Sequence, residues 1–105
     1  MINLVVALPA EARPLIAHYR LSDKTTSGGF RIYRRADISL IISGPGKIAA
    51  AAATALLAAS NTSGEQAAWL NIGIAGHATQ ATGHSLLAHR ITDQATGKSW
   101  YPPQL

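Results

Sequence analysis

Three short stretches of this 105-residue chain carry residue types and spacings that could do chemistry. The first is Ser43-Gly44-Pro45-Gly46-Lys47, set between the apolar run ISLII and the alanine-rich run IAAAAATALLAA. A glycine turn from a strand into a helix is a place to hold an anion or a ribose. Glycine lets the backbone approach closely and take positive φ, and the helix N-terminus favours an oxygen or an anion. Two familiar versions of such a turn fail on neighbouring residues. A Walker loop needs a glycine where Ile41 stands and a Ser or Thr where Ile48 stands, so magnesium would lose its hydroxyl ligand. A dinucleotide fingerprint is formally matched by residues 44–49. Its acidic partner should end the next strand, however, whereas Glu65 precedes that strand. What stays open is a close-approach turn beside a ligand, or a plain tight turn in which Ser43 caps the helix.

The second stretch centres on Glu11, just past the apolar run LVVAL. A carboxylate there lies where ligands bind in open α/β sheets. It is equally what a helix N-terminus favours through its dipole. The third is LNIGIAGHA, residues 70–78, a strand running into a glycine turn. His77 in that turn is either an acid–base group or an exposed loop histidine with no role. His84 and His89, five apart on a predicted strand, face opposite sides and do not make one metal site. The chain has no cysteine, which excludes disulfides and cysteine-ligated zinc.

The elements that must position these residues follow from periodicity. Residues 4–8 read as a strand buried on both faces. Residues 10–19 read as a helix, with Leu15, Ile16 and Tyr19 at helical spacing, and Pro14 places its ordered start near Arg13. Residues 22–29, SDKTTSGG, read as a polar loop. Residues 30–35 and 38–43 form a β-hairpin that turns at Asp37. A helix follows over 47–59, then a loop over 61–64, a strand over 68–74, a turn-rich stretch, a strand over 84–93 and a short strand over 99–101. The order β-α-β-β-α-β-β predicts an α/β fold, a mixed central sheet flanked by helices.

Composition narrows the partners. Hydrophobic residues make up 48% and charged residues 13%, against about a quarter charged in a usual soluble domain. The excess apolar surface calls for a homo-oligomer or for cover by another part of the fold. Net charge is +4, but the basic residues are scattered. Arg31 and Arg35 share a strand face, Arg34 lies on the other, and no aromatic stacking platform is interleaved with them, so no nucleic-acid partner is expected. The N-terminus lacks a basic n-region, and its apolar run is broken by Pro9 and Glu11, unlike a signal peptide. No apolar run reaches the roughly 18 residues of a membrane span. A cytoplasmic protein without a membrane partner is the expectation.

Taken in order, LVVALPAEARPLI, SGPGKIAAAAATALL and LNIGIAGHA resemble the N-terminal half of the purine nucleoside phosphorylase/nucleosidase superfamily. The likeness is greatest to the 5′-methylthioadenosine/S-adenosylhomocysteine nucleosidase type. That branch opens with an apolar strand and a Glu-bearing turn, continues into SG-x-GK-x-AAA, and then has an N-x-G-x-AG turn. The stretch TGHSLLAHRITDQATGKSWYP resembles the family's next strand, with His84 in place of an Asp. The resemblance spans nearly the whole chain and implies Glu11 as the base that activates a water. It also implies Pro45 and Gly46 beside the ribose and its 5′ side, and Ile74, Ala75 and Gly76 in backbone contact with the nucleoside. Ile74 stands where these nucleosidases usually have Ser.

The implied reaction is cleavage of the N-glycosidic bond of a purine nucleoside without a cofactor. Hydrolysis fits better than phosphorolysis, since Glu11 would repel phosphate. The family's Met-Glu segment and the Asp that protonates the purine have no counterpart here. The chain therefore reads as a single partial domain over 1–105 whose catalytic C-terminal half is missing, inactive alone. The rival reading is a non-catalytic α/β half-domain that binds or dimerises.

Overall fold

A computed structural model of the chain describes residues 1–61 and 66–103. It has two compact units, Met1–Ala75 and Gly76–Leu105. The first is an α/β unit with a five-stranded mixed sheet and two helices. Its strands are β1 (Ile2–Val6), β2 (Asp23–Ser27), β3 (Phe30–Arg35), β4 (Ile38–Ile42) and β5 (Ala68–Asn71), and its helices are α1 (Pro9–Tyr19) and α2 (Lys47–Ser60). The sheet order is β2-β3-β4-β1-β5. β1 runs parallel to both β4 and β5, while β2, β3 and β4 form an antiparallel meander.

The apolar run at the start of the chain becomes the central strand because both of its faces are covered. Leu4 and Val6 pack on one side with Ala12, Leu21, Leu40 and Ile42. Val5 packs on the other with Ile32, Ile41, Ala53 and Leu57. α1 therefore covers one face of the sheet and α2 the other. The alanines of α2 suit this, since Ala53 is fully buried and a small side chain lets the helix lie close.

The strand expected over 4–8 is β1 at Ile2–Val6 and the one expected over 68–74 stops at Asn71, and three further elements differ from what local patterns predict. Residues 23–27 are a strand rather than part of a loop, although every side chain in β2 is exposed. Pairing with β3, from Asp23↔Arg34 to Ser27↔Phe30, makes the strand. Gly28 and Gly29, at φ 56° and 84°, supply the two positive angles of a tight hairpin turn of the primed type. Second, α1 starts at Pro9, not near Arg13, and holds Pro14 inside it. An interior proline costs about 3 kcal/mol. Burial of Ala12 and packing of Leu15 and Ile16 against the core offset that cost. The helix ends with Arg20 in the left-handed region at φ 54°, where Leu21 N–H donates to Ile16 O at 3.0 Å and the Leu21 side chain enters the core.

The third difference lies in the second unit, where the strand expected over 84–93 contracts to β6 (Ile91–Thr92) paired with β7 (Ser99–Trp100). Asp93 closes the connecting turn: its N–H donates to Lys98 O at 2.9 Å and its carbonyl accepts from Gly97 N–H at 2.8 Å. An apolar pattern becomes a strand only where a partner strand supplies hydrogen bonds, and here only two residue pairs do so. The loop expected over 61–64 and Glu65 lie, beyond Asn61, outside the described residues.

Candidate functional site

The parallel strands β4, β1 and β5 all end on the same edge of the sheet, and two of the chemistry-bearing stretches follow β1 and β4 there. Backbone pairing of β1 with β4 continues past the strands: Ser43 N–H donates to Val6 O at 2.8 Å and Gly44 N–H to Ala7 O at 2.9 Å. This pins the SGPGK turn beside the β1–α1 connection. Beyond β5, Ile72 N–H still donates to Val5 O at 3.1 Å, after which Gly73 and Ile74 leave the ladder.

Glu11 joins two of these connections. It is half-buried in the first turn of α1. Oε1 accepts from Leu8 N–H at 3.0 Å, fixing the helix entry. Oε2 accepts from Ile74 N–H at 2.6 Å, sixty-three residues away in sequence. The carboxylate thus takes up a backbone donor at a helix end and another at a strand end, both of which need a partner. A carboxylate has about four lone-pair sites, so each oxygen keeps one with which to accept from a water.

Gly73 makes this contact feasible. A Cβ at that position would lie 2.8 Å from Oε2 and 3.6 Å from Cδ of Glu11. Gly73 is not in the left-handed region, so space rather than φ calls for glycine. From the sequence alone Gly73 is indistinguishable from an ordinary structural glycine. Its one signal there is that it stands as the first glycine of the N-x-G-x-AG pattern that resembles the nucleosidases.

In the SGPGK turn, Gly44 and Gly46 have φ of 80° and 98°. Gly46 is the N-cap of α2, with ψ 154°, a region open essentially to glycine alone. Ser43 does not cap the helix. Its hydroxyl donates to Gly44 O at 2.8 Å, and among the described residues the α2 N-terminus has no side-chain cap. Pro45 and Gly46 are exposed.

Ile74 contributes its backbone N–H and leaves its side chain 85% exposed, so the contact with Glu11 does not depend on the side chain at this position. Ala75 is exposed at the end of the first unit. Gly76 begins the second and is exposed, and a Cβ added to it would meet no atom within 4 Å. The structure thus brings together Glu11, Gly73 and Ile74, and sets Pro45 and Gly46 on the same sheet edge.

His77 is engaged locally: its Nδ1 accepts from Thr79 N–H and Gln80 N–H, each at 3.1 Å, which caps the following turn. Among the described residues no group of three His, Asp or Glu side chains is placed to hold a metal ion. Among them, too, no helix is long and apolar enough to cross a membrane. No family model matches the chain, and no curated protein matches it.

Proposed function

We propose that this chain carries one wall of a site that cleaves the N-glycosidic bond of a purine nucleoside, by hydrolysis rather than phosphorolysis. The observation that carries the reading is the 2.6 Å bond from Ile74 N–H to Glu11 Oε2, which joins two of the stretches that resemble the nucleosidase pattern. Glu11 would hold and deprotonate the attacking water on the face of the ribose away from the purine, using the lone pair left on each oxygen. Gly46 would let the backbone lie against the ribose, beside Pro45, while Ala75 would offer a main-chain contact.

Protonation of the leaving purine needs a second acid. Asp37 sits at the opposite edge of the sheet, where its carbonyl accepts from Ile2 N–H at 2.8 Å, and Asp23 pairs with Arg34 on the β2–β3 hairpin. The acid must therefore come from outside the described part of residues 1–75, and binding is the first assay. Titrating adenosine should give saturable amide shifts at Leu8, Gly46 and Ile74 that vanish in Glu11→Ala. Shifts absent up to millimolar adenosine would end this reading.

A second reading rests on the other face of the same geometry. Both oxygens of Glu11 already serve the backbone, and β5 is a sheet edge on which Trp69 and Ile72 are partly exposed, with Ile74 beyond it. In that reading Glu11 is a clamp and the exposed edge pairs two copies of the chain. Sedimentation separates the two readings: a concentration-dependent dimer abolished by Trp69→Lys supports assembly, and a monomer at high concentration rejects it.

A further inference from the structure

A cleft of about 430 Å³ opens at the C-terminal end of α1, lined by Ile16, Ala17, Arg20, Leu21, Ser22 and Arg35. It lies on the sheet edge opposite Glu11, because Arg35 pairs with Ile38 at the start of β4 and α1 runs down from its first turn at Glu11. Its lining is mostly apolar, from Ile16, Ala17 and Leu21, and the exposed residues Arg20, Ser22 and Arg35 complete it. Neither guanidinium has an ion-pair or hydrogen-bond partner among the described residues.

The register explains why the charges gather there. Arg31, Tyr33 and Arg35 oppose Ile42, Leu40 and Ile38, so their side chains are on the α1 face of the sheet. α1 packs mainly on β1 and β4; on the β2–β3 part of that face Lys24, Arg31 and Arg35 are exposed, while Tyr33 packs against the core. Lys24 opposes Tyr33 and its Nζ lies 5.8 Å from the centre of the Tyr33 ring, on the same face. Asp23, by contrast, opposes Arg34, whose guanidinium reaches Ser60 on the α2 side. The face that holds the cleft therefore has cations from both of its elements; no carboxylate is among its lining residues, and Asp37 stands in the β3–β4 turn two residues beyond Arg35. Arg20 would favour a helix C-terminus through the dipole alone, but the dipole gives no reason for Arg35 to line the same cleft.

We propose that this cleft binds a small phosphate monoester, with Arg20 and Arg35 on the phosphate oxygens and the apolar part of the molecule against Ile16, Ala17 and Leu21. Guanidinium forks suit phosphate through paired charge-assisted hydrogen bonds. Ser22 adds a hydroxyl at the rim. A monoester fits better than a bare anion because the apolar wall would otherwise stay wet.

The test is an NMR titration of the full 105-residue chain with phenyl phosphate, inorganic phosphate and phenol, reading the Arg side-chain N–H signals and the Ser22 amide. Phenyl phosphate should give saturable shifts at Arg20, Arg35 and Ser22, tighter than inorganic phosphate, and phenol none. Arg35→Gln should weaken it about tenfold or more, as expected for loss of a charged hydrogen bond. Arg20→Asn keeps a residue that tolerates the left-handed region and should do the same. Arg35→Lys, which retains the charge but not the fork, should fall between. Circular dichroism confirms that each variant is folded. Unsaturable shifts spread equally over Arg13 and Arg90, or affinity unchanged in both variants, would overturn the proposal. So would a short oligothymidylate that shifts Lys24 and Arg31 as strongly as Arg20, because that outcome means an extended polyanion surface instead.

Discussion

Replacing Gly73 by Ala tests the contact on which the candidate site is built. The new Cβ would sit 2.8 Å from Glu11 Oε2, well inside ordinary contact, which begins at 3.4 Å. No left-handed angle is involved, so the cost comes from displacing the carboxylate. Displacement stretches the bonds to Ile74 N–H at 2.6 Å and Leu8 N–H at 3.0 Å. A hydrogen bond to a charged group contributes about 1.5–3 kcal/mol. Glu11 is half-buried, so water recovers part of that, and the net loss should be about 1–2 kcal/mol. At roughly 4–8 °C per kcal/mol for a domain of this size, Tm should fall by about 5–15 °C.

Thermal melts of four proteins close the argument: the parent, Gly73→Ala, Glu11→Ala and the double variant. With the carboxylate gone, alanine at 73 has nothing to strike, so the double variant should be no less stable than Glu11→Ala. The coupling should be about 1 kcal/mol or more, as for residues in direct contact. If Gly73→Ala costs as much without the carboxylate as with it, the contact does not set the cost and the reasoning fails.

Other substitutions probe different parts of the fold. Asn3 is fully buried in β1 with neither Nδ2 nor Oδ1 hydrogen-bonded among the described residues, so Asn3→Val should raise stability by about 1–3 kcal/mol in a urea melt; a loss would mean the amide has a partner. Ala36 turns the β3–β4 hairpin at φ 51°, and Ala36→Gly should stabilise by roughly 1 kcal/mol by removing left-handed strain, with an unchanged or lower Tm counting against it. Gly46→Ala should cost about 1–3 kcal/mol because of its φ of 98°. Gly76→Ala meets open space and no such angle, so its effect on stability should stay within about 0.5 kcal/mol.

Much of the fold is legible wherever a pattern is local. The unbroken LVVAL run, the alternation of FRIYRR and the alanine run each point to an element by themselves, and β1, β3, β4 and α2 follow them. The α/β class with a mixed sheet follows from their order. Glu11, Gly46 and Ile74 can also be singled out one at a time. The polar strand β2 cannot be seen, because DKTTS has no apolar face and owes its form to pairing with β3. Its one local signal is Gly28-Gly29, two adjacent residues free to take positive φ. The start of α1 is misplaced by local reasoning because the cost of Pro14 is local, whereas burial of Ala12 and the tie from Glu11 to Leu8 are not.

The sequence by itself determined which residues could be strand, helix or turn, and that a carboxylate stands just past the first strand. Only the tertiary structure decided that this carboxylate meets Ile74 over a gap kept open by Gly73. It also decided that Arg20 and Arg35 share a cleft. The physical reason is the same in both cases. Periodicity reports which way a side chain points within its own element, while contacts between elements depend on strand order and register, which hydrogen bonding across the sheet sets.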